Sequence, residues 1–339
     1  MARRERTTGL PAPRRRTKTA TSRRIAGITW HDSYNRWAIL VAAACVLFVV
    51  IGFIAYRWYD NTIATPNRVV LSVGNEQVKL NYYTDRLYQF TINANPQNTS
   101  DVQVAQQQLL TQLQTEALTV ELAQKKGITI SDDDITKEIA SELGVPVGGA
   151  GSSFDTLYRQ KLKDTKMSDS SYRRMIEATV ANNKLLDAYT KAEPDTGELV
   201  TLSAVVSSTQ DDSKKALTEI NGGQDFNTIA QKESTDLTSK QNDGIMAATP
   251  PLLFPQAVQT AIKGQKPGAK IFGPLQVEND WWIFRIDRDD QNSTISADQK
   301  KQLAQQKLTA DLTAAASTTK ISRNLTASDI TWANNHAAK

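Results

Sequence analysis

The sequence has 339 residues, enough for two or three domains, and its 40% hydrophobic and 22% charged content is that of a folded protein. The formal net charge of +4 is lopsided: residues 1–36 hold ten Lys/Arg against Glu5 and Asp32, whereas residues 37–339 carry 30 basic and 34 acidic groups, so the folded part is no basic nucleic-acid-binding domain. A single cysteine, Cys45, excludes an intramolecular disulfide, a CxxC motif and a thiolate metal site.

Residues 1–36 are rich in Thr, Arg and Pro and poor in large apolar side chains, which predicts a disordered basic tail. WAILVAAACVLFVVIGFIAY, residues 37–56, is uncharged. A helix of that length covers roughly 30 Å, the thickness of a bilayer core. Trp37, Tyr56, Trp58 and Tyr59 stand at its ends, where amphipathic rings favour headgroups. The basic residues before it put the N-terminus in the cytoplasm, near anionic lipid, and everything beyond about residue 60 outside a plasma membrane crossed once. Ala42-Ala43-Ala44-Cys45 faintly resembles a lipoprotein cleavage box, yet an apolar run continues from Val46 to Tyr56. Cleavage normally ends such a run, so an uncleaved anchor is expected, with a linker over 57–68.

Next come a strand over 69–73, a tight turn at Gly74-Asn75 and a returning strand over 76–80. Asn81 is suited to cap a helix through Phe90. Val102, Ala105, Leu109, Leu113, Ala117 and Val120 recur at helical spacing until Lys125-Lys126-Gly127 ends the run. Ser131 caps a further helix, where Asp132, Asp133 and Asp134 complement the dipole rather than bind metal. The glycine-rich stretch GVPVGGAGSS lacks a lysine at phosphate-loop spacing. Helices over 154–163 and 170–191 complete a mainly helical domain, residues 69–193. Composition changes at Glu193-Pro194-Asp195-Thr196-Gly197. The order strand (199–207), helix (211–220), short helix (226–231), polar loop, short helix and two strands then predicts a small α+β domain over 198–290. A helix over 296–316 and an unassigned end make up residues 295–339. The fold class is therefore α+β behind one transmembrane helix.

The segments VVLSVGNEQVKLNYYTDRL and LLTQLQTEALTVELAQKKGITISDDDITKEIA resemble the opening of SurA- and PrsA-type extracytoplasmic foldases. LSAVVSS, NGGQDFNTIAQKES, the Asp243-Gly244-Ile245-Met246 corner, Phe254-Pro255 and GPLQVENDWWIFRI resemble a parvulin-type, PpiC-like peptidyl-prolyl isomerase domain, inserted in or following the helical one. Such domains carry a His in the first strand and another in the last, with an acid or thiol between. The resemblance puts Ala204 and Trp282 at the histidine positions, Ile245 near the acid, and Ala257 where a phenylalanine is expected. The only histidines, His31 and His336, lie far from residues 195–295, so no shift of alignment restores the pair.

Strand alternation puts Trp282, Phe284 and Ile286 on one face and Trp281, Ile283 and Arg285 on the other. The resemblance implies a peptide groove of Ala204, Met246, Phe254 and Trp282, in which Trp282 is either plain core or a contact for a client. No cofactor, catalytic residue or metal ligand emerges. The leading expectation is a membrane-anchored chaperone or foldase for unfolded exported polypeptides, without specific nucleic-acid binding. A histidine-free isomerase and an envelope or secretion scaffold are the alternatives. A Ser-His-Asp hydrolase would have to use His336, and HExxH and GxSxG motifs are absent.

Overall fold

The computed structural model describes residues 32–94, 99–147 and 153–337. Of the tail read as disordered, residues 1–31 lie outside that range, as do residues 148–152 of the glycine-rich loop. Helix α1 (Asp32–Tyr59) extends past both ends of the uncharged segment and is followed by a π-turn, Asp60–Ala64. Every residue from 37 to 59 is exposed around the whole circumference, Phe48 by 76%. A helix apolar on all sides suits a lipid environment rather than water. Its length and composition suffice to cross a membrane.

Residues from 67 onward form a separate compact unit. It opens with the hairpin β1 (Val69–Val73) and β2 (Glu76–Lys79). Gly74 turns it at φ +58°, and a Cβ there would sit 2.6 Å from the Glu121 carboxylate, which accepts from the Asn75 amide at 3.1 Å. Only glycine fits so close a carboxylate at positive φ. Five helices share one apolar core: α2 (Leu80–Ala94), α3 (Thr99–Lys125), α4 (Asp132–Glu142), α5 (Phe154–Thr165) and α6 (Asp169–Ala192). Tyr83, Leu109, Leu113, Ile139 and Tyr172 are sealed at the centre. Helix α2 starts one residue before the expected cap, with Asn81 accepting from the Tyr82 amide. Ser131 and Asp134 close a capping box on α4, and Lys184 reaches Asp134 at 2.6 Å.

The α+β part runs β3 (Thr196–Ser207), α7 (Gln210–Asn221), α8 (Phe226–Glu233), α9 (Leu237–Gln241), a 3-10 turn (Pro251–Leu253), α10 (Gln256–Ile262), β4 (Phe272–Val277) and β5 (Asp280–Thr294). Helix α9 lies within the expected polar loop. The antiparallel sheet has the order β3-β5-β4. Strand β5 outruns DWWIFRID because its far half keeps pairing with the start of β3, Asp289 opposite Val200 and Thr294 opposite Thr196. Helices α7 and α8 cover one face through Val205, Ile283, Phe226 and Ile229. The 3-10 turn and α10 cover the other through Leu202, Ala204, Phe284, Ile286 and Val258.

The chain then returns to its first helices. Helix α11 (Ala297–Thr318) packs Leu308 against Leu185 and Ala123, and β6 (Ile321–Arg323) joins β1 as a third strand. Helix α12 (Ala327–His336), the end that the sequence left unassigned, inserts Ala333 and Trp332 into the first core. Residues 297–337 thus complete the helical part, and the α+β part is inserted between its two segments. At the crossing, Lys307 meets Glu193 at 2.6 Å, Lys300 pairs with Asp195, and Leu199, Ile295 and Leu303 form a small apolar cluster.

Candidate functional site

The four residues expected to form a groove meet on one face of the β3-β5-β4 sheet. Ala204 and Phe254 are sealed at 0% and 5% exposure, whereas Met246 and Trp282 pack on the same cluster and keep open surface. Ala204 lies opposite Phe284, and Trp282 opposite Val206 and Leu275, so the two positions that the resemblance would give to histidine are diagonal neighbours. Phe284 stacks on Phe272 at 5.2 Å between ring centres, which fills the space beside the small Ala204. Ala257 lies on this cluster too. Ile245 is 37% exposed and pairs through its backbone with Ser203. The Asp243-Gly244 corner is fixed by the bond from the Ala204 amide to the Gly244 carbonyl, 2.8 Å, and from the Met246 amide to the Leu202 carbonyl, 2.8 Å. Ala204, Met246, Phe254 and Trp282 provide no proton donor or acceptor on this face beyond the indole N–H, so what it offers a ligand is contact area.

The opposite face of the same strands, packed under α7 and α8 through Val205 and Ile283, also holds a polar cluster that sequence reasoning missed. Ser203, wholly buried, donates to Asp287 at 2.5 Å. Arg285 donates to Asp287 and to the side chain of Asn227, at 2.8 and 2.9 Å, and lies over the Phe226 ring at 4.9 Å. Charge-assisted bonds of this kind tie β3, β5 and the start of α8 together. The signal was there in the alternation of Arg285 and Asp287 with Phe284 and Ile286. Seen alone, it reads as an ordinary solvated face.

The helical part carries a trench between α2 and α3 on one side and α4, α5 and α6 on the other. Two adjoining cavities of about 490 and 610 Å³ share Arg86, Gln112, Glu142 and Met175. Arg86 makes a two-pronged pair with Glu116, both contacts 2.8 Å, and donates to the Tyr82 hydroxyl. Burial, and then the Glu116 charge, push the Tyr82 phenol well above its usual range, so the hydroxyl stays neutral. Burial alone would raise the Glu142 carboxyl, but Lys161 and the Tyr172 hydroxyl, both at 2.8 Å, outweigh it and hold that group low. Arg86, Glu116, Glu142 and Lys161 are thus paired internally, while Met175 and Phe90 present apolar surface beside the buried Met167, and Gln89, Gln112 and Thr115 present hydrogen-bonding groups. Flexible thioethers beside neutral amides suit varied partners better than one rigid ligand.

Two family models match the chain: a SurA-like N-terminal domain over residues 31–186 and a PPIC-type PPIASE domain over residues 183–292. The Foldase protein PrsA of Pediococcus pentosaceus is 26% identical over 208 residues, covering 59% of this chain and 62% of that relative's length. Among solved structures, the peptidylprolyl isomerase PrsA from Bacillus anthracis is similar at 19% identity, covering 60% of this chain and 88% of that one, with a TM-score of 0.41. The parvulin domain of PpiD from E. coli is similar at 26% identity, covering 28% of this chain and 92% of that one, with a TM-score of 0.26.

Proposed function

Since the chain joins a SurA-like N-terminal domain to a PPIC-type domain and has the PrsA foldases as homologues, we propose that it is a membrane-anchored extracytoplasmic chaperone-foldase that binds unfolded exported polypeptides with little or no prolyl isomerase chemistry. Helix α1 serves as the anchor, with the N-terminus in the cytoplasm. The trench and the Met246–Trp282 face are the surfaces offered to clients.

One observation carries the catalytic half of this reading: no histidine occurs between residues 195 and 295, and the two positions that resemblance assigns to histidine hold Ala204 and Trp282. Rotation about a prolyl bond faces roughly 18–20 kcal/mol and requires no covalent intermediate. Lowering that barrier needs groups that hold the twisted amide better than the planar one. Sealed Ala204 offers none, and Trp282 offers area to an extended apolar segment. The direct test incubates the full chain, held in a detergent micelle or lipid nanodisc, with a chemically unfolded model protein and follows light scattering. The reading expects suppression near equal molar amounts, weakened when Met175→Lys or Met246→Asp places a charge on either surface. Unchanged aggregation with the wild-type chain present would sink it.

A further inference from the structure

A cavity of about 580 Å³ lies between α10 and the far half of the β3/β5 pairing, away from Met246 and Trp282, neither of which lines it. Its floor is aliphatic: Val200, Ile262 and Ile286 are 4%, 7% and 3% exposed. One wall is the 3-10 turn, where Leu252, 56% exposed, leaves apolar surface open beside the cavity. The Gln259 amide fixes that wall by donating to the carbonyls of Leu252 and Phe254, at 2.9 and 2.7 Å. Two carboxylates stand on the lining, Glu198 and Asp289. Among the described residues the Glu198 side chain has neither ion pair nor hydrogen bond, and Asp289 accepts only from the neighbouring Gln291. The lining's single cation, Lys263, is exposed at the end of α10.

An aliphatic floor beside two carboxylates that make no ion pair among the described residues, and that outnumber the one lining cation, fits a ligand with an aliphatic group next to a cation. We infer that this cavity is a second polypeptide-contact site, which takes a Leu-, Ile- or Val-type side chain adjoining a Lys or Arg of an extended client. The inference rests on the foldase reading above and adds to it a sequence preference independent of proline. Asp290, beside Asp289 on the β5 half that borders the site, adds to the repulsion of acidic segments.

The test uses the full chain in nanodiscs and short, proline-free, fluorescent peptides that alternate Leu with Lys or Leu with Glu. Two exposed charge pairs predict that the Leu/Lys peptide binds about fivefold more tightly at low salt. The double variant E198Q/D289N is expected to erase that preference, and Leu252→Ser to weaken both peptides. The control D211N/D298N, which removes two carboxylates outside the cavity lining, is expected to keep the preference. A wild-type chain without preference, or a preference that survives E198Q/D289N, overturns the site. Aggregation suppression measured on the same preparation separates the two levels. Suppression without peptide preference removes this site and leaves the foldase reading standing, whereas peptide preference without suppression removes the foldase reading.

Discussion

Gly244 has φ +82°, and a Cβ there would meet the Ala230 methyl at 2.6 Å and the Ala204 carbonyl at 3.2 Å. Gly244→Ala is expected to cost about 1–3 kcal/mol through strain and overlap together, read as a lower unfolding midpoint. Ser203→Ala removes the buried partner of Asp287 and is expected to cost about 1–2 kcal/mol. Its effect should be non-additive with Arg285→Ala, because both bonds converge on one carboxylate. A third residue gives a pH dependence. Burial, reinforced by Glu76 and offset by Arg174, raises the Glu177 carboxyl above its ordinary value. Such a group contributes stability that is complete below the unfolded Glu value of about 4.3 and is lost as pH rises through the raised folded value. Glu177→Gln is therefore expected to unfold at a higher temperature than wild type near neutral pH, with the gap closing by about pH 4. A gap independent of pH would remove burial of the charge as its cause.

At the scale of elements, the C-terminal segment holds the helical part together. Asp329 is fully buried, closes the capping box of α12 with Thr326, and pairs with Arg68 at 2.6 Å. Asp329→Ala loses cap and pair together and is expected to cost about 2–4 kcal/mol. Truncation after Thr319 removes β6, Trp332 and Ala333 from the first core and is expected to leave the helical part sensitive to proteolysis. This segment was the least legible in the sequence. ITWANNHAAK has one large apolar pair, Ile330 and Trp332, and no period long enough to declare a helix, and β6 is three residues long. Its pairing with β1 joins residues about 250 positions apart, Ser72 opposite Ser322, which no local pattern encodes. Elements with their own caps and stripes were legible: α3 by the recurrence of Val102, Ala105, Leu109, Leu113, Ala117 and Val120, α4 by Ser131, and the β1–β2 hairpin by Gly74-Asn75. Strand β5 was legible only as far as its apolar alternation, because DRDDQNST holds its strand through pairing with β3 alone.

Considered whole, the α+β part is an insertion whose two connections run side by side from the helical part, clamped by Lys307–Glu193 and Lys300–Asp195. That Ala204, Met246, Phe254 and Trp282 share one cluster agrees with the motif order on which the resemblance rests. The accessibility of this face was not legible, since sealing Ala204 depends on Phe284 and Phe272 packing across the strands. We propose that this face offers contact and no acid-base chemistry. This is tested most directly by prolyl cis/trans exchange in a short peptide, measured by magnetisation transfer with the full chain present. The exchange rate is expected to equal that in buffer, for wild type and Trp282→Ala alike. Clear acceleration by the wild-type chain, abolished in Trp282→Ala, would contradict it and make Trp282 the centre of a histidine-free isomerase.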